Sequence, residues 1–163
     1  MDSEALVLQL RYSQWATRRV LDSVTALSHE EMSRGLGNSY GGVRGTLEHI
    51  YQADAIWFDR LMGTPTGDLS KYEPGANFSE WAPLLDGYVK WAEGLAPADW
   101  DRIVSYRNVK GEAFQTPVWQ IVLHIVNHAS YHRGQITTML RQIGRAPIGT
   151  DLIAFYRPLS AVP

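Results

Sequence analysis

Residues 116–143 read TPVWQIVLHIVNHASYHRGQITTMLRQI. Thr116 before Pro117 has the form of an N-cap followed by proline at the first helical position, and Gly144 supplies a stop. Between them Val118, Ile121, Ile125, Ile136, Met139 and Ile143 fall within a sector of about 60° on a helical wheel. The stretch therefore predicts one long amphipathic helix over about residues 116–143.

Working outward, three further stretches carry the same period. Residues 3–27 place Leu6, Leu10, Trp15, Val20, Leu21, Val24 and Leu27 in a broad stripe, with Ser3 as the expected N-cap. Residues 43–62 put Val43, Leu47, Ile50, Trp57 and Leu61 on one side. Residues 78–95 carry Trp81, Leu84, Leu85, Tyr88, Val89 and Trp91 on a more ragged face. Trp15, Trp57, Trp81 and Trp91 sit at helical spacing and are expected in the core. Ile103, Val104 and Tyr106 precede Asn108-Val109-Lys110-Gly111 and Phe114, which predicts a short hairpin before the last long helix. Four long helices predict an all-α four-helix bundle in one domain over residues 1–163.

The composition narrows the function classes. The chain has 163 residues, 45% apolar and 20% charged, with 15 Lys+Arg against 17 Asp+Glu and a net charge of −2. That balance argues against a nucleic-acid partner and against a polybasic membrane surface. No apolar run approaches the length of a spanning helix, and the acidic opening Met1-Asp2-Ser3-Glu4 is unlike a secretory signal, so a cytoplasmic protein is expected. There is no cysteine. Disulfide scaffolds, thiolate metal sites and cysteine nucleophiles are thereby excluded. A metal site in this chain has to use nitrogen and oxygen ligands.

The histidines are the most informative residues. His124, His128 and His132 stand at four-residue steps on the last helix, where i and i+4 side chains lie above one another. Two imidazoles at that spacing can grip one metal ion. With His128 as origin, His132 lies about 40° into the apolar sector and His124 about 40° out of it. His128 and His132 are therefore the candidate ligands, and His124 a supporting or packing residue. His49 on the second helix is the candidate third ligand. Gly42, Gly45 and Ala53 are its neighbours on the wheel, and such small residues leave room for a metal and a ligand. Against it, His49 lies about 120° from Val43, the centre of that helix's apolar stripe. His29, before Glu30 and Glu31, reads as a solvated loop histidine. Gln135 lies on the ligand face and is a candidate to hold a ligand imidazole or orient a substrate, with Tyr131 and Tyr156 as pocket donors. Asn127 and Arg133 point away from that face, toward neighbouring helices or the tail. Glu48 and Asp54 read first as solvated charges, with acceptance of a ligand's second ring N–H as the functional alternative. No paired carboxylates, Gly-rich phosphate loop or serine nucleophile elbow is present.

Residues 124–141, HIVNHASYHRGQITTMLR, resemble the signature of the DinB/YfiT-like family of metal-dependent enzymes. Asn127-His128, His132-Arg133-Gly134-Gln135 form its most specific part. Leu47-Glu48-His49-Ile50 with Ala53-Asp54 and Trp57 resembles the family's second-helix motif, and Tyr12 to Trp15 and Thr150 to Tyr156 match more weakly. The resemblance implies a four-helix bundle that forms a homodimer and holds one divalent metal ion per chain on His49, His128 and His132. It also implies a small-molecule substrate, since relatives include S-transferases and isomerases that use low-molecular-weight thiols such as mycothiol or bacillithiol. The family name refers to DNA-damage induction and implies no DNA binding.

Three neutral imidazoles leave the charge of a divalent ion uncompensated, which suits activation of water or of an external thiol. A hydrolase or S-transferase is the reading expected. The alternatives are a non-catalytic metal-binding bundle, as a structural dimer or stress-related metal binder, and a bundle holding haem between two histidines. Imidazole ligands suit zinc, nickel, iron and copper alike, so the ion's identity is not readable.

Overall fold

A computed structural model describes residues 2–66 and 68–159. It is an all-α bundle with one small two-stranded sheet. The helices are α1 (Ser3–Val24), α2 (His29–Ser33), α3 (Val43–Met62), α4 (Trp81–Glu93), α5 (Val118–Gln142) and α6 (Leu152–Leu159). Strands β1 (Ile103–Arg107) and β2 (Ala113–Pro117) form the expected hairpin, antiparallel with Ile103 opposite Pro117 and Tyr106 opposite Phe114. α5 packs against both α1 and α3, and α4 covers the other side of α1 and α3. Among the described residues no helix is long and apolar enough to cross a membrane.

The four predicted helices are all present, and their ends show what sequence pattern does not encode. α3 spans Val43 to Met62 as expected and closes on Gly63, whose φ of 76° is the left-handed conformation glycine adopts freely. In α1 the N-cap is Asp2, not Ser3: its carboxylate accepts the Glu4 N–H at 3.2 Å, and Ser3 is already helical. α1 also stops at Val24, short of Leu27. α4 begins at Trp81, because Phe78 has a φ of 56°, which no right-handed helix accommodates. α5 begins at Val118, because Thr116 is paired to Val104 in the hairpin. Pro117 is thus the cap and not the first helical residue, and the Val118 N–H donates to the Arg102 carbonyl at 3.0 Å. α2 and α6 are short helices beyond the four expected. α2 is opened by a capping box in which Ser28 and Glu31 satisfy each other's backbone N–H groups.

Two apolar clusters fill the bundle. One gathers Leu6, Leu10, Val118, Ile121 and Ile125 near the hairpin, and the other gathers Val20, Leu47, Trp81, Ile136 and Leu140. Trp81 is fully buried, and Trp15, Trp57 and Trp91 pack half-buried against the first cluster. A cationic side chain crosses the interior. Arg133 on α5 is 1% exposed, and its guanidinium donates to Ser13 Oγ at 3.2 Å and Thr17 Oγ1 at 3.0 Å on α1, and to Ser130 Oγ at 2.9 Å. This agrees with the expectation that Arg133 engages a neighbouring helix.

Candidate metal centre

α3 and α5 carry the candidate ligands, and their contact brings His49, His128 and His132 together. One ring nitrogen from each lies within 4.8 Å of the other two. The closest approach is His49 Nε2 to His128 Nε2, at 3.0 Å. The rings of His128 and His132 meet edge to face at 4.6 Å, and those of His49 and His132 at 4.7 Å. The i, i+4 spacing on α5 thus supplies two rings on one face, and α3 supplies the third across the helix contact.

Burial and mutual repulsion favour the neutral form of His49 and His128. Burial pushes His128 down to about 4, and the neighbouring His132, His49 and His124 add to the shift. Burial likewise lowers His49, assisted by His132. Neutral imidazoles carry the lone pairs that a metal ion requires. His132 Nδ1 lies 2.8 Å from Gln135 Oε1. The amide oxygen can only accept, so Nδ1 carries the proton and Nε2 is left free. Four-coordinate zinc with Zn–N distances near 2.0 Å sets its ligand nitrogens about 3.3 Å apart. A 3.0 Å approach between two neutral rings, with a third beside them, therefore fits a divalent ion with nitrogen ligands.

A tyrosine that sequence reasoning passed over closes the site. Tyr40 stacks on His49 with ring centroids 4.0 Å apart and planes 14° apart, and its edge faces His132 at 5.4 Å. Gly45 on α3 lets it approach, and Gly42 before the helix accommodates the neighbouring Arg34. A Cβ on Gly45 would stand 2.0 Å from the Tyr40 carbonyl oxygen, and one on Gly42 would stand 2.3 Å from that of Arg34. The room expected beside Gly42 and Gly45 for a metal and a ligand is instead filled by the backbone of Arg34 and Tyr40. Its signal in the sequence was the Gly42–Gly45 pair itself, which marks a close backbone approach without naming the partner.

The other candidates separate cleanly. His124 is exposed and outside the cluster; its ring meets Trp57 edge to face at 5.3 Å and stands 5.7 Å from His128. Tyr131 is 66% exposed and meets His132 at 5.0 Å. With Gln135 it lines a cleft of about 350 Å³ beside the cluster. His29 is solvated as expected, although it opens α2 instead of lying in a loop. Tyr156 accepts a hydrogen bond from Gln9 Nε2 at 2.6 Å and belongs to the α1–α6 contact. Glu48 and Asp54 do not serve the imidazoles. Glu48 pairs with Arg44 at 2.8 Å, one turn earlier on the same helix. Asp54 is 2% exposed and accepts the Trp81 Nε1–H at 2.9 Å, and burial pushes its carboxyl up to about 7. The role expected of a carboxylate falls instead to the neutral amide of Gln135, at least for His132.

Comparison with known proteins agrees with this architecture. Protein DinB of Bacillus subtilis (strain 168) is 24% identical over 149 residues, covering 86% of this chain and 87% of the relative. The family model described as DinB family matches residues 1–159, a span that takes in all three converging histidines and the helices that carry them. The chain belongs to the DinB family.

Proposed function

We propose that the protein is a metal-dependent enzyme that holds one divalent ion per chain on His49, His128 and His132. Water or an external low-molecular-weight thiol is activated there for attack on a small electrophilic substrate. The observation that carries this reading is the convergence of three imidazoles from two helices, one of them hydrogen-bonded to Gln135. When bound, the ion supplies Lewis acidity, lowering the pKa of a water or thiol beside it. The protein's own groups do the rest. Gln135 orients His132, the Tyr40 ring shields one face of His49 from solvent, and Tyr131 stands at the rim of the adjoining cleft. The sulfur of any thiol reaction comes from a cosubstrate, since the chain has no cysteine. The expected working form is a homodimer of one-domain chains. A haem held between two of these histidines is disfavoured, because all three rings are in mutual contact, with centroids 4.6–4.9 Å apart, which leaves no gap for a porphyrin.

The test is metal content by mass spectrometry on protein purified without a histidine tag. Wild type should carry roughly one ion per chain, and His49→Ala, His128→Ala and His132→Ala should lose it while His124→Ala keeps it. Undiminished metal in His132→Ala would overturn the site. Metal loss in all three variants, with no turnover of thiol-reactive or hydrolysable substrates by loaded wild type, would favour the non-catalytic bundle.

A further inference from the structure

Arg60 lies eleven residues beyond His49 on α3, within about 20° of the same face and about 16 Å further along the axis. Its guanidinium lies over two aromatic rings, 4.5 Å from the Trp57 centroid and 4.7 Å from that of Tyr106. Nη2 donates to the Arg107 carbonyl at 2.9 Å. The buried Nε has no hydrogen-bond partner. Arg60 also has no carboxylate partner among the described residues, because the adjacent Asp59 is engaged by Lys71 and Tyr72. A half-buried cation without a counter-ion is under-compensated, and a planar fork of donors matches carboxylate and phosphate geometry.

The surroundings suit such a ligand. Arg60 and Arg107 line a cleft of about 550 Å³ whose walls include Thr64, Ser105, Tyr106 and Asn108 and no acidic residue. That volume is typical of small-molecule sites. A strip of rings joins the cleft to the imidazoles: Trp57 meets Tyr106 at 4.9 Å and His124 at 5.3 Å, and His124 stands 5.7 Å from His128.

We infer that this cleft is an anion subsite, which takes the carboxylate or phosphate end of an elongated small-molecule substrate whose reactive end lies at the three imidazoles. The link to the reacting end rests on the metal-enzyme reading above; the anion subsite itself does not.

The test titrates ¹⁵N-labelled protein with benzoate, with inorganic phosphate and with neutral benzamide, following the Arg60 Nε–H resonance. Benzoate or phosphate should shift it to saturation, benzamide should not, and which anion binds more tightly identifies the end group. Arg60→Gln should weaken binding of that anion at least tenfold, and Arg60→Lys should restore only part of it. His128→Ala, which should lose the metal, should bind the anion as wild type does. Equal shifts with benzoate and benzamide, or no shift with either anion, would overturn the subsite while leaving the metal centre standing. The benzoate–benzamide comparison uses wild-type protein alone, so it decides the matter even if Arg60→Gln fails to fold.

Discussion

Replacing Gly45 by alanine isolates the contact that lays Tyr40 on the site. The new Cβ would stand 2.0 Å from the Tyr40 carbonyl oxygen and 3.1 Å from its carbon, so the loop has to move to approach the ordinary contact range that starts at 3.4 Å. Such overpacking costs about 1–3 kcal/mol, and a backbone obstacle belongs at the upper end. Alanine in a helix returns up to about 1 kcal/mol, leaving a net loss of about 2 kcal/mol and a fall in Tm of roughly 4–8 °C for a chain of this size. Gly134→Ala is the matched control. Gly134 sits within α5 with no foreign atom within 4 Å of its would-be Cβ, so the same chemical change should raise Tm by roughly 2–4 °C. Displacing Tyr40 should also weaken metal binding, by roughly tenfold if it ranks with other residues supporting a ligand. Calorimetry on the metal-free proteins and chelator competition on the loaded ones read the two effects. A Gly45→Ala protein as stable as Gly134→Ala, with unaltered metal affinity, would refute the account of how Tyr40 is placed.

Three further outcomes follow from the same geometry. Gln135→Leu removes the acceptor for His132 Nδ1 and should weaken metal binding about 10–100-fold with little change in fold; chelator competition and circular dichroism check the two halves. Arg133→Lys keeps the charge but loses the fork that spans Ser13, Thr17 and Ser130, costing about 2 kcal/mol, or roughly 4–8 °C in Tm; an unchanged Tm would show that those hydrogen bonds contribute nothing. In metal-free protein, His128 is neutral down to about pH 4 when folded, so the unfolded chain takes up more protons below pH 6.5 and stability falls as pH drops through that window. Asp54 opposes it: folded, it holds its proton up to about pH 7, so its ionisation erodes stability as pH rises from about 4 to 7. Asp54→Asn should therefore be stabilising near pH 7.5, lose that advantage near pH 4, and uncover a steeper acid loss, read from urea midpoints across pH; an equal effect at both ends would contradict the raised pKa.

The parts of this molecule legible in sequence are those set by period. The apolar spacing of residues 118–143 and the four-step histidines placed His128 and His132 on an inward face without reference to any partner. His49 was harder, because a helical wheel measures angle from a stripe and not which neighbour lies across it; the family resemblance supplied what the wheel lacked. The errors are contacts between segments distant in sequence or local φ choices. Thr116 was lost to the helix because Val104 claims it in the hairpin, and Phe78 because its φ is positive. Asp54 reads as a solvated charge or an acceptor for an imidazole, and is neither, because Trp81, on a different helix, buries it and donates to its oxygen. Tyr40 sits in a loop without periodicity, and the Gly42–Gly45 pair that marks a close approach does not name it as the partner.

His132 and Arg133 are consecutive, so they leave α5 about 100° apart, one toward α3 and the other into α1. That divergence makes Arg133 an angular index for the helix. A ring nitrogen about 6 Å from the axis sweeps roughly 1 Å for every 10° of helix rotation, which is comparable to the whole tolerance of a preorganised site. The clamp on Ser13 and Thr17 thus sets the azimuth at which two of the three imidazoles face their partner. The precision of the centre is held on the far side of the helix, in residues that never approach it.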